Sequence, residues 1–327
     1  MPGVVSVGEA EVMSAFKSGF LAVASVLALA AGARAAEPAV DVLRSRTYVT
    51  RDTGPLDADV YMPHGAGPYP GMLVVHGGAW RLGTRAQLAN TAARFAEHGY
   101  TAVAISYRLA PQSTFPAQIY DCQAAVQWMR SHAGELKIDP QRIGGFGYSA
   151  GGQLVALLGT LADGDFKEAG IPADAPSTRL QCVLAGGAPC DFRDIPAGNR
   201  LLAYWLGGSR AEKPDNYCNA SPANFITADD PPMYFFSGED DVLVPISSPR
   251  TMVKLLEKAG VTAEMYAVKN SGHIQTLFDR GAVDHALSFA DRYLKGAEAA
   301  GGGGGDAPAR AEEVISTSSN NEIRDGQ

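Results

Sequence analysis

The sequence predicts an α/β fold in which a mostly parallel sheet carries helices on both faces. Short apolar runs bounded by turn residues alternate with amphipathic helical stretches along the chain, which is the pattern of such a sheet. About 260 residues without an internal repeat lie between two atypical ends, a length that suits a single domain of this class.

The predicted elements follow one another in a regular order. Strands are expected at 46–50, 57–62, 71–76, 101–107, 142–147, 180–186, 233–237 and 263–268. Helices are expected at 85–98, 117–132, 150–162, 246–260 and 275–295. The first two strands precede the alternation, so we expect antiparallel pairing at that edge. In a parallel sheet the chemistry lies beyond the carboxyl ends of the strands.

The N-terminal segment predicts export. Residues 19–31 form an uncharged apolar run after Lys17, and a small-x-small cleavage site precedes Ala36. We therefore expect a signal peptide over residues 1–35, with translation starting at Met1 or at Met13, and a secreted or periplasmic mature protein without stable membrane insertion. An uncleaved membrane anchor is the alternative.

The other end predicts disorder. Five glycines at 301–305 precede a polar, apolar-poor segment that cannot bury enough surface to order itself. We expect a disordered tail at 297–327 and a single folded domain at 36–296.

Composition limits the partners. The net charge is −8, and basic residues do not cluster with aromatics, which argues against nucleic-acid binding. The chain has no H-E-x-x-H or similar spacing, so we predict neither a metal nor a cofactor.

The four cysteines permit a disulfide in an exported chain. Cys122 falls in an amphipathic helical stretch and Cys182 in an apolar strand, so both are expected in the core. Cys190 and Cys218 flank an irregular segment and form the candidate pair, with two free thiols as the alternative.

The stretch GGFGYSAGG centres on Ser149. A flexible loop would explain the glycines, but a phosphate-binding loop is excluded because the Lys-Ser or Lys-Thr ending is absent. The third interpretation is a sharp strand-to-helix turn that exposes the serine, for which small residues are needed at Gly147 and Gly151.

A serine nucleophile needs a base and an orienting acid. Among the six histidines, His273 follows the last strand in a loop, whereas His64, His98, His132 and His285 are expected on the solvated surface. The acid candidates are Glu239, Asp240 and Asp241 after the strand at 233–237, with Asp191 as an outside alternative.

Backbone donors for an oxyanion are expected from the sequence HGGAW. Gly77 and Gly78 follow a strand, where two adjacent glycines let N–H groups turn toward a neighbouring site. The amide of Ala150, directly after the serine, is the further donor. An ordinary Gly-Gly turn is the alternative.

Taken together, these motifs resemble the α/β-hydrolase superfamily, in its carboxylesterase/lipase branch of hormone-sensitive-lipase-like and bacterial feruloyl-esterase-like proteins. HGGAW is similar to the oxyanion loop of that branch, GYSAGG to its nucleophile turn, and SGH to the segment of its base. The stretch SGEDDVLVP resembles the acid motif and implies Asp241 as the acid. In two departures, Ser237 stands where the family often has histidine, and Ala79 replaces a third glycine.

The resemblance implies an α/β-hydrolase fold and a serine esterase of the carboxylic ester hydrolase class, with Ser149, Asp241 and His273 as its triad and a small ester as substrate. A cap over the site is expected at 190–230, with a packed surface excursion as the alternative. An amide-cleaving formamidase or peptidase, a lyase on the same fold, and a non-catalytic binding protein remain open.

Overall fold

The computed structural model describes residues 40–296 of the chain. Its strands are, in chain order, β1 (Asp41–Arg51), β2 (Gly54–Met62), β3 (Tyr69–Val75), β4 (Thr101–Ile105), β5 (Ile138–Tyr148), β6 (Cys182–Gly186), β7 (Met233–Gly238) and β8 (Ala263–Val268). Its α-helices are α1 (Ala89–Glu97), α2 (Ala117–Ser131), α3 (Ala150–Thr160), α4 (Ala203–Leu206), α5 (Pro214–Asn219), α6 (Ser247–Lys258), α7 (His273–Leu277) and α8 (Arg280–Leu294). Two short 3₁₀ turns lie at Arg85–Leu88 and Pro222–Asn224.

Across the described residues the strands form one eight-stranded sheet in the order β1-β2-β4-β3-β5-β6-β7-β8. β2 pairs antiparallel with both β1 and β4, and every other neighbouring pair is parallel. The expected sheet, with its antiparallel N-terminal edge, is confirmed. The carboxyl ends of β3–β8 therefore lie along one edge.

Both faces of the sheet are covered because its central strands are apolar on both sides. Every residue of β4, TAVAI, is buried, as a strand between two helical layers requires. One face packs against α2, α3 and α6, and the other against α1 and α8. Helix α3 is buried on all sides. Its first turn begins directly after β5, at the edge where the carboxyl ends of the parallel strands lie.

The C-terminal helix differs from its prediction. The stretch expected as one helix over 275–295 is two helices, α7 and α8. Asp279 separates them, because its carboxylate accepts a hydrogen bond from the Ala282 amide at 2.7 Å and so caps α8. The apolar periodicity continues through this break, so the pattern alone did not reveal it.

Residues 190–230 form a compact segment built from α4, α5 and the second 3₁₀ turn. Trp205 and Tyr217 of this segment are fully buried. The segment is therefore anchored in the main core by large side chains, and its expected role as a cap stays a prediction.

All four cysteines lie within the described residues and are free thiols, so the candidate disulfide between Cys190 and Cys218 is not formed and the alternative of free thiols holds. Cys190 is buried in the loop that follows β6, and its thiol donates to the Ala188 carbonyl at 3.3 Å. Burial raises the pKa of the Cys190 thiol and disfavours the thiolate that disulfide exchange requires. Cys122 and Cys182 are buried, as expected for core residues.

The expected signal peptide at 1–35 and the expected tail at 297–327 lie outside the described residues. Between residues 40 and 296, none of the helices combines the length and the apolar character that crossing a membrane requires.

Candidate active site

Ser149 occupies the sharp turn between β5 and α3. Its φ is 57° and its ψ is −120°, a conformation that serine rarely adopts. A Cβ atom on Gly147 would lie 2.2 Å from the Gly151 carbonyl oxygen, and one on Gly151 would lie 2.0 Å from the Val75 carbonyl oxygen. Only glycine fits at these two positions, which is why glycine flanks the serine on both sides.

Backbone hydrogen bonds hold this turn in place. The Ser149 amide donates to the Gly186 carbonyl at the end of β6, at 2.7 Å. The Ser149 carbonyl accepts from the Gln153 amide at 2.9 Å, which begins the hydrogen bonding of α3. The hydroxyl is therefore presented from a backbone that two neighbouring elements fix.

The loops after β7 and β8 bring an acid and a histidine to this serine. His273 Nε2 lies 2.9 Å from the Ser149 Oγ, and His273 Nδ1 lies 2.6 Å from the Asp241 Oδ2. The Asp241 side chain is fully buried, and its Oδ1 accepts from the amides of Leu243 and Val244 at 2.9 and 2.8 Å. A carboxylate held by these hydrogen bonds orients the imidazole so that Nδ1 carries the proton and Nε2 faces the serine.

The other acid candidates lie elsewhere. Glu239 and Asp240 are exposed. Asp191 is paired with Arg193, at 2.6 Å between its Oδ2 and the guanidinium Nη2. Of these acids, Asp241 is therefore the one that His273 contacts.

Tyr148 connects the serine turn to the histidine. Its backbone directly precedes Ser149, and its hydroxyl donates to the His273 carbonyl at 2.5 Å. The tyrosine and imidazole rings are 5.2 Å apart. One side chain at the end of β5 thus supports the start of α7, where His273 stands.

The HGGAW loop passes directly beside the serine. A Cβ atom on Gly77 would lie 2.9 Å from the Tyr148 carbonyl oxygen and 3.2 Å from the Ser149 Cβ, so the close approach again requires glycine. The loop then turns sharply, because Gly78, Ala79 and Trp80 have φ values of +112°, +50° and +57°. The amides of Arg81 and Leu82 donate to the Gly78 carbonyl at 3.1 and 2.9 Å and close the turn.

The side chain of His76, the first residue of the HGGAW loop, supports this loop through a hydrogen bond and a ring contact. Its ring is buried, stacks on Tyr107 at 4.3 Å between centroids, and donates from Nδ1 to the Gly77 carbonyl at 2.7 Å. Burial lowers the pKa of His76 to about 4, so its ring is neutral at neutral pH. Its Nε2 is buried without a hydrogen-bond partner among the described residues.

Contacts between the HGGAW loop and residues 190–230 were missed by sequence reasoning. Trp80 stacks on Trp205 with centroids 3.6 Å apart and planes 3° apart, and its Nε1 donates to the Gln153 Oε1 at 2.9 Å. The Gln153 amide group donates in turn to the Ala220 carbonyl at 2.7 Å. A fully buried glutamine in an otherwise apolar helix is the signal that could have indicated such a junction.

Among residues 40–296, no group of three or more His, Cys, Asp or Glu side chains is arranged to hold a metal ion. The arrangement described above can activate a hydroxyl for attack on an electrophilic carbon.

The fold, and the hydrogen bonds that link Asp241, His273 and Ser149, are those of a protein of the α/β-hydrolase superfamily. Residues 58–256 match the model of the BD-FAE family, and the chain belongs to that family. The carboxylesterase branch expected from the motifs is thereby confirmed as the family of this chain.

Known proteins of this branch are similar to the chain. It is 32% identical to the probable carboxylic ester hydrolase LipM of Mycobacterium tuberculosis over 209 residues, which cover 62% of this chain and 48% of LipM. It is 29% identical to the esterase LipC of the same organism over 272 residues, covering 77% of this chain and 67% of LipC. It thus spans about half the length of LipM and two thirds of that of LipC.

A solved esterase structure is also similar to this chain. Thermogutta terrifontis esterase 2, described as phosphoramylated by tabun, superposes with a TM-score of 0.65 at 26% identity. The match covers 80% of this chain and 95% of that one.

Proposed function

We propose that this chain is an exported serine esterase that hydrolyses small carboxylic esters through an acyl-enzyme intermediate. The observation that carries the proposal is the hydrogen-bonded chain from Asp241 through His273 to Ser149 on a strained turn. The names of the similar proteins, a carboxylic ester hydrolase and esterases, support the choice of substrate class.

In the first half of the reaction, the Ser149 Oγ attacks the acyl carbon of the ester while its proton passes to His273 Nε2. Asp241, which accepts from Nδ1, stabilises the imidazolium that forms. His273 then gives the proton to the leaving alkoxide, the carbon–oxygen bond breaks, and the acyl group stays on Ser149.

In the second half, water takes the place of the alcohol. His273 accepts a proton from this water as the water oxygen attacks the acyl carbon. The bond between the acyl carbon and the Ser149 Oγ then breaks, His273 Nε2 returns the proton to Oγ, and the free acid leaves. Both halves pass through an oxyanion, for which we assign the amides of Gly77, Gly78 and Ala150 as donors. The close approach of the Gly77 backbone to Ser149, which leaves no room for a Cβ atom on Gly77, supports this assignment.

Export is the part of the proposal that depends on the sequence alone. The apolar run at 19–31 and the cleavage site before Ala36 support it. N-terminal sequencing of protein recovered from the periplasm or the medium tests it. A mature chain that begins at Ala36 is expected, and a protein that retains residues 1–35 in the cytoplasmic fraction would contradict export.

The test of ester hydrolysis uses a fluorophosphonate probe together with aryl esters of increasing acyl length. We expect one adduct by intact mass, located on Ser149 by peptide mapping, and loss of both adduct and hydrolysis in Ser149→Ala. The matched control is Ser288→Ala, since Ser288 is exposed on α8.

Two outcomes would overturn the proposal. A folded wild-type protein with neither adduct nor hydrolysis would be a binding protein on this fold. Faster cleavage of the corresponding aryl amides than of the esters would assign it to the amide-cleaving class.

A further inference from the structure

The turn that follows the candidate oxyanion donors Gly77 and Gly78 contains residues with strained backbone conformations. Gly78 tolerates a positive φ, but Ala79 and Trp80 have side chains and adopt φ values of +50° and +57°. Two consecutive residues in this region are energetically costly, so the turn persists only where its surroundings impose it.

Two hydrogen bonds from outside the turn impose it, one on each of two consecutive carbonyls. The Ala110 amide donates to the Trp80 carbonyl at 2.8 Å. The Tyr204 hydroxyl donates to the Ala79 carbonyl at 2.9 Å, across 125 positions of sequence. Together they hold the two peptide planes that follow Ala79.

Tyr204 is well suited to this contact. It lies on α4, next to the Trp205 ring that stacks on Trp80, so its backbone is anchored in the core. The Arg81 guanidinium carbon lies 5.0 Å from the centroid of its ring and covers one side of it. Burial raises the pKa of Tyr204 to about 12, so its hydroxyl is a donor over the whole neutral range.

We propose that Tyr204 is a positioning residue for the oxyanion site, acting through the Ala79 carbonyl. The inference rests on the proposed ester hydrolysis at Ser149. Without the hydroxyl, the Ala79 carbonyl loses its partner, and the peptide that follows Ala79 is free to rotate toward water. That rotation changes ψ of Ala79 and φ of Trp80, and it shifts the preceding Gly77–Gly78 backbone, in which Gly77 lies close to Ser149.

The predicted effect is specific to the transition state. Oxyanion donors act on the charge that develops when the serine adds to the carbonyl, whereas ester binding in the ground state depends little on them. Loss of the Tyr204 hydroxyl should therefore lower kcat and leave KM nearly unchanged.

The test is Tyr204→Phe, which removes one oxygen and keeps the ring beneath Arg81. We expect kcat on an aryl acetate about tenfold lower, near the upper end for one hydrogen bond. A trifluoromethyl ketone, which forms an anionic adduct with a nucleophilic serine, should bind more weakly by the same factor.

The matched control is Tyr217→Phe. The Tyr217 hydroxyl also donates to a backbone carbonyl, that of Gly208 at 3.1 Å, but this bond stays within residues 190–230. Thermal unfolding of both variants shows whether they are folded, and their steady-state kinetics are then compared with those of the wild type.

Each outcome decides a different question. A wild type that does not hydrolyse esters contradicts the proposed function itself. An active wild type with equal kcat losses in Tyr204→Phe and Tyr217→Phe contradicts the positioning role, because both would then reflect general loosening of this segment. A raised KM at unchanged kcat in Tyr204→Phe contradicts it as well.

Discussion

Replacing Ser149 by glycine is expected to stabilise the fold relative to replacing it by alanine. Both variants lose the hydroxyl and its hydrogen bond to His273, so that loss cancels in the comparison. What differs is the backbone, because alanine must adopt φ 57° and ψ −120° with a Cβ atom, and glycine adopts them without one.

The magnitude follows from two opposing terms. A residue with a side chain in such a sparsely populated region costs about 1–3 kcal/mol, which glycine avoids. Glycine has greater freedom in the unfolded chain, which costs about 0.4–1 kcal/mol relative to alanine. The free energy of unfolding of Ser149→Gly should therefore exceed that of Ser149→Ala by about 1–2 kcal/mol.

Urea unfolding followed by far-UV circular dichroism measures this difference. The same two substitutions at Ser288, an exposed position within α8, provide the control. There the order should reverse, with glycine less stable than alanine by about 1 kcal/mol. If Ser149→Gly proved no more stable than Ser149→Ala, the claim that the turn stores backbone strain at this residue would be refuted.

Two further predictions concern the acid and the buried histidine. Asp241→Asn should lower kcat about 10⁴-fold, as loss of a triad acid does in serine proteases. Asp240 is exposed beside it, and Asp240→Asn should change kcat little. Aryl ester kinetics with both variants decide this, and a reversed order would contradict the assignment of the acid. His76 has its pKa lowered to about 4 in the folded state against 6.5 as the reference value, so the unfolded state takes up the proton first as pH falls. The contribution of neutral His76 to the free energy of unfolding should thus be present above about pH 6.5 and should fall by about 2–3 kcal/mol by about pH 4.5. His76→Phe, which can keep the stack on Tyr107, should show a smaller fall in urea titrations, and an unchanged pH dependence would contradict this origin.

The parts of the fold that follow from local pattern were predictable from the sequence. Continuous apolar runs such as TAVAI indicate strands buried on both faces, and the alternation with helices indicates a parallel sheet. The turn at Ser149 was likewise predictable, because the backbone around it leaves no room for side chains and the nearby sequence supplies glycines there.

What the sequence could not supply depends on contacts between distant segments. The stack of Trp80 on Trp205 and the bond from Tyr204 to Ala79 each join residues about 125 positions apart, and no periodicity encodes such a pairing. The disulfide hypothesis failed for a related reason. Cys190 borders an irregular stretch and lies outside the predicted core elements, but its side chain is buried in the core.

The hydroxyl bond from Tyr148 to the His273 carbonyl has a consequence for how the site tolerates thermal motion. The serine follows Tyr148 in the chain, and the imidazole belongs to the residue whose carbonyl Tyr148 holds. A displacement of the end of β5 therefore carries both groups in the same direction. The distance between oxygen and nitrogen varies less than the position of either atom, and that distance governs proton transfer. The serine hydroxyl and the imidazole therefore stay aligned with each other when the end of β5 moves.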